Sequence, residues 1–225
     1  MELLKNNEKR AKIVINFIWA VLFLEIVLFC SHSLQYYLLY RSKYGAPLST
    51  DTANENDLRE TILGILYFLV YIGSVITFIQ WFRRAYYNLH QKALSLTFTE
   101  GWAAGCWFVP IISLYRPYQI MKELYTETGF LLSKNNIENK LMNVKHLGWW
   151  WTLLIVSAIF EKIVFRMENN AKWLDDYLTL TKMEMIVKLL DILLALITIQ
   201  VIKRYSAVEN LLEDIKSEKP LEQIV

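Results

Sequence analysis

Glu25 stands inside an apolar run that extends from Ile13 to about Leu39, and a carboxylate is the most costly residue such a segment can hold. On a helix it shares a face with His32, seven residues on, and with Gln35 and Tyr36 beyond. A second stripe of this kind runs through the last apolar segment, where Glu184, Lys188, Asp191 and Thr198 fall on one face. Lys188 and Asp191, three apart, can pair within their own helix. Two kinds of chemistry fit. Facing each other, the stripes satisfy one another and specify helix packing; lining a path, they carry protons or another polar species through an apolar layer.

Arg83, Arg84, Asn88, Arg116 and Gln119 form a second group, cations with amides beside them, the types that hold an anion. With Lys122 and Lys145 they gather on one membrane face, where each cation attracts anionic lipid headgroups by about 1 kcal/mol. The bland reading is topogenic charge that also holds lipid. The sharper one is a specific anionic pocket around the tip of the central element described below.

Other chemistries find no support. No Ser sits in a G-x-S-x-G turn, no H-E-x-x-H occurs, and Cys106 lies in an apolar run without a nearby His. Cys30 and Cys106 both fall in apolar segments, and His32, His90 and His146 are scattered, so no disulfide framework, metal site or cofactor is expected. A net charge of +2 is too small to suggest nucleic acid. Asp175 and Asp176, with Glu168, read as solvated loop carboxylates. An enzyme is therefore the less favoured class, and a lipid-modifying one a distant third.

The elements that must position these residues are apolar and helical. Hydrophobic residues make up 55% of the 225, and long apolar runs recur throughout. Spans are expected at about 13–39, 58–81, 147–165 and 183–202. The first reads as an uncleaved span, because Glu25 interrupts it and no small-residue cleavage site follows. Polar loops are expected at 41–57 and 166–182, an aromatic belt at Trp149, Trp150 and Trp151, and a charged tail over 206–225. Amphipathic helices should follow the second span to about Leu94 and run from Tyr118 to Leu132, with a short polar helix before His146.

Between the second and third spans lies a shorter apolar element, residues 98–114. Gly101 and Gly105 would present one small face for close approach, Trp102 and Trp107 bracket it, and Pro110 removes a backbone donor. Tyr115, Arg116, Pro117 and Tyr118 close it with an aromatic and basic collar, Pro117 suiting a first helical position. From Gly101 to Leu114 a helix would cover about 21 Å, short of the roughly 30 Å hydrocarbon core, so the element is expected to be re-entrant or interfacial. If it does not cross, sixteen Lys and Arg lie on the side of both termini and seven on the other; if it does, the bias vanishes. The expected fold is all-α: four transmembrane helices, this short element, amphipathic cytoplasmic helices and both termini cytoplasmic, in one membrane domain of residues 1–205.

The run Arg84-Ala85-Tyr86-Tyr87-Asn88-Leu89, then Gly101-Trp102-Ala103, Trp107-Phe108-Val109-Pro110-Ile111 and Pro117-Tyr118-Gln119, with Trp149-Trp150 later, resembles a bacterial membrane family catalogued as domain of unknown function 4328. The likeness covers roughly residues 60–205. Glu100 stands where that family tends to have Pro, and Ser113 where it tends to have Asn. The resemblance implies a multi-spanning protein of the bacterial inner membrane and carries no activity. Function is thus expected in one of two classes. The first is a non-enzymatic membrane protein that organises or regulates partners or lipids, anionic lipids among them. The second is a small transporter or channel-like protein with a polar path through Glu25 and Asp191, which with so few spans needs a homo-oligomer or a membrane-protein partner.

Overall fold

The computed structural model describes residues 4–46, 48–137 and 144–215, and all regular structure in them is helical. Six α-helices follow one another: α1 (Glu8–Lys43), α2 (Thr50–Lys92), α3 (Glu100–Gly105), α4 (Arg116–Lys134), α5 (Lys145–Asn170) and α6 (Leu174–Glu209). Short 3-10 turns occupy Ile112–Leu114 and Asn210–Leu212. Helices α1, α2, α5 and α6 are long and apolar enough to cross a membrane. Only 6% of the most apolar window of α2 is buried, so Ile65, Phe68 and Leu69 present a continuous apolar surface that water solvates poorly.

Local chemistry sets the helix ends. The Ser49 hydroxyl accepts from the Thr52 amide at 3.1 Å and caps α2. Asp176 reaches back to the amides of Lys172 and Trp173 at 3.0 and 2.9 Å and opens α6. At the end of α1, Gly45 takes φ +91°, while the Gly45 and Ala46 amides return to the carbonyls of Ser42 and Arg41. Asn136, at φ 57°, does the same for α4. These caps shorten the polar loops expected at 41–57 and 166–182. The connection from α1 to α2 is residues 44–49, and that from α5 to α6 is residues 171–173, because polar residues flanking the apolar runs continue the helices. The short polar helix expected before His146 falls largely on residues 138–143, outside the described residues, as does the tail from 216 onward. The tail's first residues, 206–209, continue α6.

The chain folds as two compact units. One is built from the described parts of 1–16, 74–151 and 198–225, the other from 17–73 and 152–197. The first unit has an aromatic core in which Trp81, Phe82, Tyr86, Trp150 and Tyr205 are all buried. Helix α4 lays its apolar stripe (Ile120, Met121, Leu124, Leu131 and Leu132) into that core. Tyr125 donates to the Val201 carbonyl at 2.5 Å, and burial raises its phenol well above the ordinary range, so it stays a donor. Trp150 and Trp151 do not form the expected surface belt: their indole N–H groups donate to Thr198 at 3.0 Å and to the Leu114 carbonyl at 3.1 Å. Trp149 alone of the three is exposed. Buried Glu209 ties three chain segments together, accepting from Asn7 Nδ2 at 3.0 Å and from Asn88 Nδ2 at 2.7 Å.

Residues 98–114 in this unit are a six-residue helix, a run of turns and a three-residue 3-10 turn, too short to cross a bilayer as one helix. Gly101 and Gly105 are not the expected packing face. A side-chain carbon built on either meets nothing within 4 Å, because α3 packs through Ala103 instead. The element's tightest point lies at Pro110–Ile112. The Ile112 amide bonds the Pro110 carbonyl at 2.8 Å across Ile111 at φ 66° and ψ −49°, a γ-turn of the rare hand. For a β-branched residue that geometry costs of order 1–3 kcal/mol.

In the second unit the glycine that matters is Gly73. A side-chain carbon there would lie 2.5 Å from Phe17 Cε1. Gly73→Leu should therefore lower the melting temperature of the detergent-purified protein by several degrees, about 1–3 kcal/mol of overpacking. Adding Phe17→Ala should restore part of the loss. Gly105→Ala should move it by no more than roughly 1 kcal/mol. Equal losses from Gly73→Leu and Gly105→Ala would contradict this assignment.

Candidate functional site

The second unit holds a polar cluster to which all four long helices contribute, largely buried except for the half-exposed Glu161. Glu25 on α1 is 0% exposed and Lys188 on α6 is 8% exposed. The Lys188 ammonium lies 3.2 Å from Glu25 Oε2, 3.4 Å from Glu161 Oε1 on α5 and 3.7 Å from Asp191 Oδ2 one turn along its own helix. It also stands 4.6 Å from the ring centroid of Tyr67 on α2, a cation–π contact. Ser157, one turn from Glu161 on α5, donates to Asp191 Oδ1 in a short hydrogen bond. The two stripes read from the sequence therefore meet at Lys188. Tyr67 is in reach of Glu25, yet neither Glu25 oxygen has a hydrogen bond of ordinary geometry, nor does Asp191 Oδ2.

Two turns along α1 the polar tract continues. His32 Nδ1 lies 3.4 Å from Glu60 Oε2 and 3.7 Å from Glu184 Oε2. Ser31 Oγ donates to Glu60 Oε1 at 2.7 Å and accepts from Arg59 Nε at 2.7 Å. Arg59 also reaches Glu60 at 3.0 Å and Asn56 at 2.7 Å. Gln35 donates to Thr181 Oγ1 at 3.2 Å. Glu25 and His32 are about 10 Å apart along the axis, and Glu184 is one turn from Lys188. Titratable groups are thus spaced along the interior from Arg59 to Asp191. Among the described residues no three or more His, Cys, Asp or Glu side chains are arranged to hold a metal ion.

The charges do not balance. Five carboxylates (Glu25, Glu60, Glu161, Glu184 and Asp191) share this tract with two permanent cations, Lys188 and Arg59, and with His32. Sequence reasoning found Glu25, His32, Lys188 and Asp191 and missed Glu60, Tyr67, Ser157 and Glu161. A helical reading of α5 was the signal available: Ser157 and Glu161 are four apart and share a face inside an apolar run.

The five residues read as an anion pocket have separate surroundings in the first unit. Arg83 Nε is paired with Glu100 Oε1 at 3.0 Å, and Arg84 leans on the Tyr87 ring. Asn88 is buried, its amide engaged by Glu209 and by the Lys5 carbonyl. Gln119 lies exposed in the first turn of α4. Arg116 stands among the rings of Phe98, Trp102 and Tyr115. Trp107 packs inward against Phe78, Phe82 and Trp151, and Tyr118 stacks on Trp151. Pro117 opens α4 as expected.

Removing one partner from a buried ion cluster is costly, about 3–5 kcal/mol, because the remaining charges are uncompensated. Lys188→Met should therefore destabilise the detergent-solubilised protein by that order at neutral pH. The loss should shrink as pH falls, since protons then neutralise the orphaned carboxylates of the folded state. Thermal melts across pH 5–8 read both effects, and a loss independent of pH would contradict the charge accounting.

A family model described as Domain of unknown function (DUF4328) matches residues 44–207. No curated protein and no solved structure matches the chain. The matched span takes in all of α2 to α5 and nearly all of α6, and so Glu60, Tyr67, Glu161, Lys188 and Asp191, while Glu25 and His32 precede it. With well over half its length so matched, the chain belongs to the DUF4328 family.

Proposed function

We propose that this is a small proton-handling membrane protein of the transporter or channel class, working as an oligomer, with the Lys188 cluster as its proton site. The observation that carries the reading is the set of three carboxylates around one ammonium in an apolar bundle. A single Glu25–Lys188 pair would suffice to fix helix register. Asp191 adds a negative charge that a low-dielectric interior does not tolerate bare, with Glu161 half-exposed at the cluster's edge, so the cluster must take up a compensating cation. Lys188 already occupies the centre, where it repels a metal ion. A proton needs no such space and can sit on Glu25 or Asp191. The tract through Glu184, His32, Glu60 and Arg59 supplies acceptors and donors by which protons reach that centre. Four helices enclose too little interior for a complete pathway, and the exposed apolar face of α2 leaves room for a second copy. The other class, an organiser of lipids, draws support from the collar around Arg116.

We place the protein in the bacterial inner membrane with both termini and residues 82–146 on the cytoplasmic side and residues 98–114 re-entrant or interfacial. The basic bias toward that side supports this, as does the absence of any helix of spanning length between α2 and α5 among the described residues. Reporter fusions at residues 135 and 220 should both read as cytoplasmic, and an external signal at 135 would refute the orientation. For the chemistry, purified protein in liposomes loaded with a pH dye should conduct protons under an imposed potassium diffusion potential. Glu25→Gln and Asp191→Asn should each slow that flux about tenfold or more, the loss of one intramembrane site. Flux from the folded parent no faster than from protein-free liposomes would sink the proposal.

A further inference from the structure

Residues 106–116 present a surface that the proton reading does not use. Cys106 is buried and Trp107 faces the aromatic core, and between them and α4 the chain turns outward. Phe108 is 73% and Ile111 75% exposed, and Val109 and Leu114 are exposed beside them. The γ-turn at Pro110–Ile112 holds Ile111 at the tip, and the Trp151 indole pins the base through the Leu114 carbonyl. Behind this apolar knuckle stands Arg116. Its guanidinium carbon lies 4.6 Å from the Phe98 ring centroid, 5.5 Å from Trp102 and 5.7 Å from Tyr115. No carboxylate pairs with it among the described residues, whereas nearby Arg83 is neutralised by Glu100. Its Nε is buried without a hydrogen-bond partner. Arg116 is also the first residue of the nineteen-residue helix α4, whose N-terminus carries no side-chain cap.

We propose that this knuckle and Arg116 form a binding site for one anionic phospholipid, the apolar tip entering the acyl layer and the ringed guanidinium receiving the phosphate. The site fits a lipid because its two halves match the two halves of that molecule. Four apolar side chains protrude on the chain just ahead of an unpaired guanidinium. Aromatic rings around the cation match the mixed polarity of the headgroup layer, where amphipathic rings are favoured. They also hold the fork in place without neutralising it, so its N–H donors stay free for an anion. The start of α4 adds a positive dipole end beside it. Continuity with the spanning helices favours a bilayer lipid over a soluble anion, since the same unit contains the ends of α2, α5 and α6.

The test uses the full chain in neutral detergent, with Trp102 fluorescence as the readout and Trp102→Phe as its blank. Phosphatidylglycerol should give a saturable change, with about tenfold weaker response to phosphatidylcholine. Arg116→Gln should weaken the phosphatidylglycerol response about tenfold, the loss of one charge-assisted contact, and Arg116→Lys by less. Phe108→Ser, at an exposed position, should weaken it several-fold without moving the melting temperature, and it carries the test should Arg116→Gln fail to fold. Equal binding of the two lipids, or binding unchanged in Arg116→Gln or Phe108→Ser, would overturn the proposal. Inorganic phosphate competing as well as phosphatidylglycerol, with Phe108→Ser indifferent, would assign the site to a soluble anion and overturn the lipid.

Discussion

One buried ammonium organises this protein. Lys188 lies within 4 Å of carboxylates from three helices and against the ring of Tyr67 from the fourth, so no long helix of the second unit is indifferent to it. At the centre of a bilayer an isolated lysine or carboxylate costs a few kcal/mol or more. Bringing them together lowers that cost only if each helix has the right register and rotation. The polar cluster thus acts as a specificity device where apolar contacts are permissive, since lipid tails are as apolar as the side chains they meet. Its surplus of negative charge is what separates it from a plain structural ion pair.

The first unit solves a different problem. Its helix ends and short elements carry many buried backbone and indole groups, and each needs a partner. Trp150, Trp151 and Tyr125 answer that need by donating to Thr198 and to the carbonyls of Leu114 and Val201. Glu209 serves the N-terminal segment and α2 through Asn7 and Asn88. Strain is left at Ile111, which sits at the tip of the exposed apolar turn. Strained backbone that persists at a surface is commonly tied to a ligand, and the Arg116 guanidinium beside it pairs with no carboxylate among the described residues.

Much of this was legible in the sequence. Apolar length predicted the four long helices, and polar residues at helical spacing singled out Glu25, His32, Lys188 and Asp191. The failures have physical causes. The loops expected at 41–57 and 166–182 are shorter in the structure because polarity is not irregularity: Gly45 ends α1, and Ser49 and Asp176 open α2 and α6, well outside the apolar runs. The spacing of Gly101 and Gly105 suggests an interface, but close approach depends on the partner helix, and it is Gly73 that meets Phe17. Glu60 and Glu161 were overlooked because each lies near a helix end in sequence, where a carboxylate looks solvated. Only the helices' mutual rotation brings Glu60 to His32 and Glu161 to Lys188, Glu161 staying half-exposed. The surroundings of Asn88 were hidden for the same reason: its amide donates to Glu209, a residue more than a hundred positions away.

The central claim is that the Lys188 cluster holds exchangeable protons within the membrane interior. Infrared difference spectroscopy of the lipid-reconstituted protein in light and heavy water reads protonated carboxyl groups directly through their carbonyl stretch. The account predicts such a band at neutral pH, shifted by deuterium and diminished in Asp191→Asn and Glu25→Gln, while Glu209→Gln leaves that component in place. A spectrum in which neither Asp191→Asn nor Glu25→Gln alters the protonated-carboxyl band would mean that these carboxylates are ionised and the cluster is a structural ion network only.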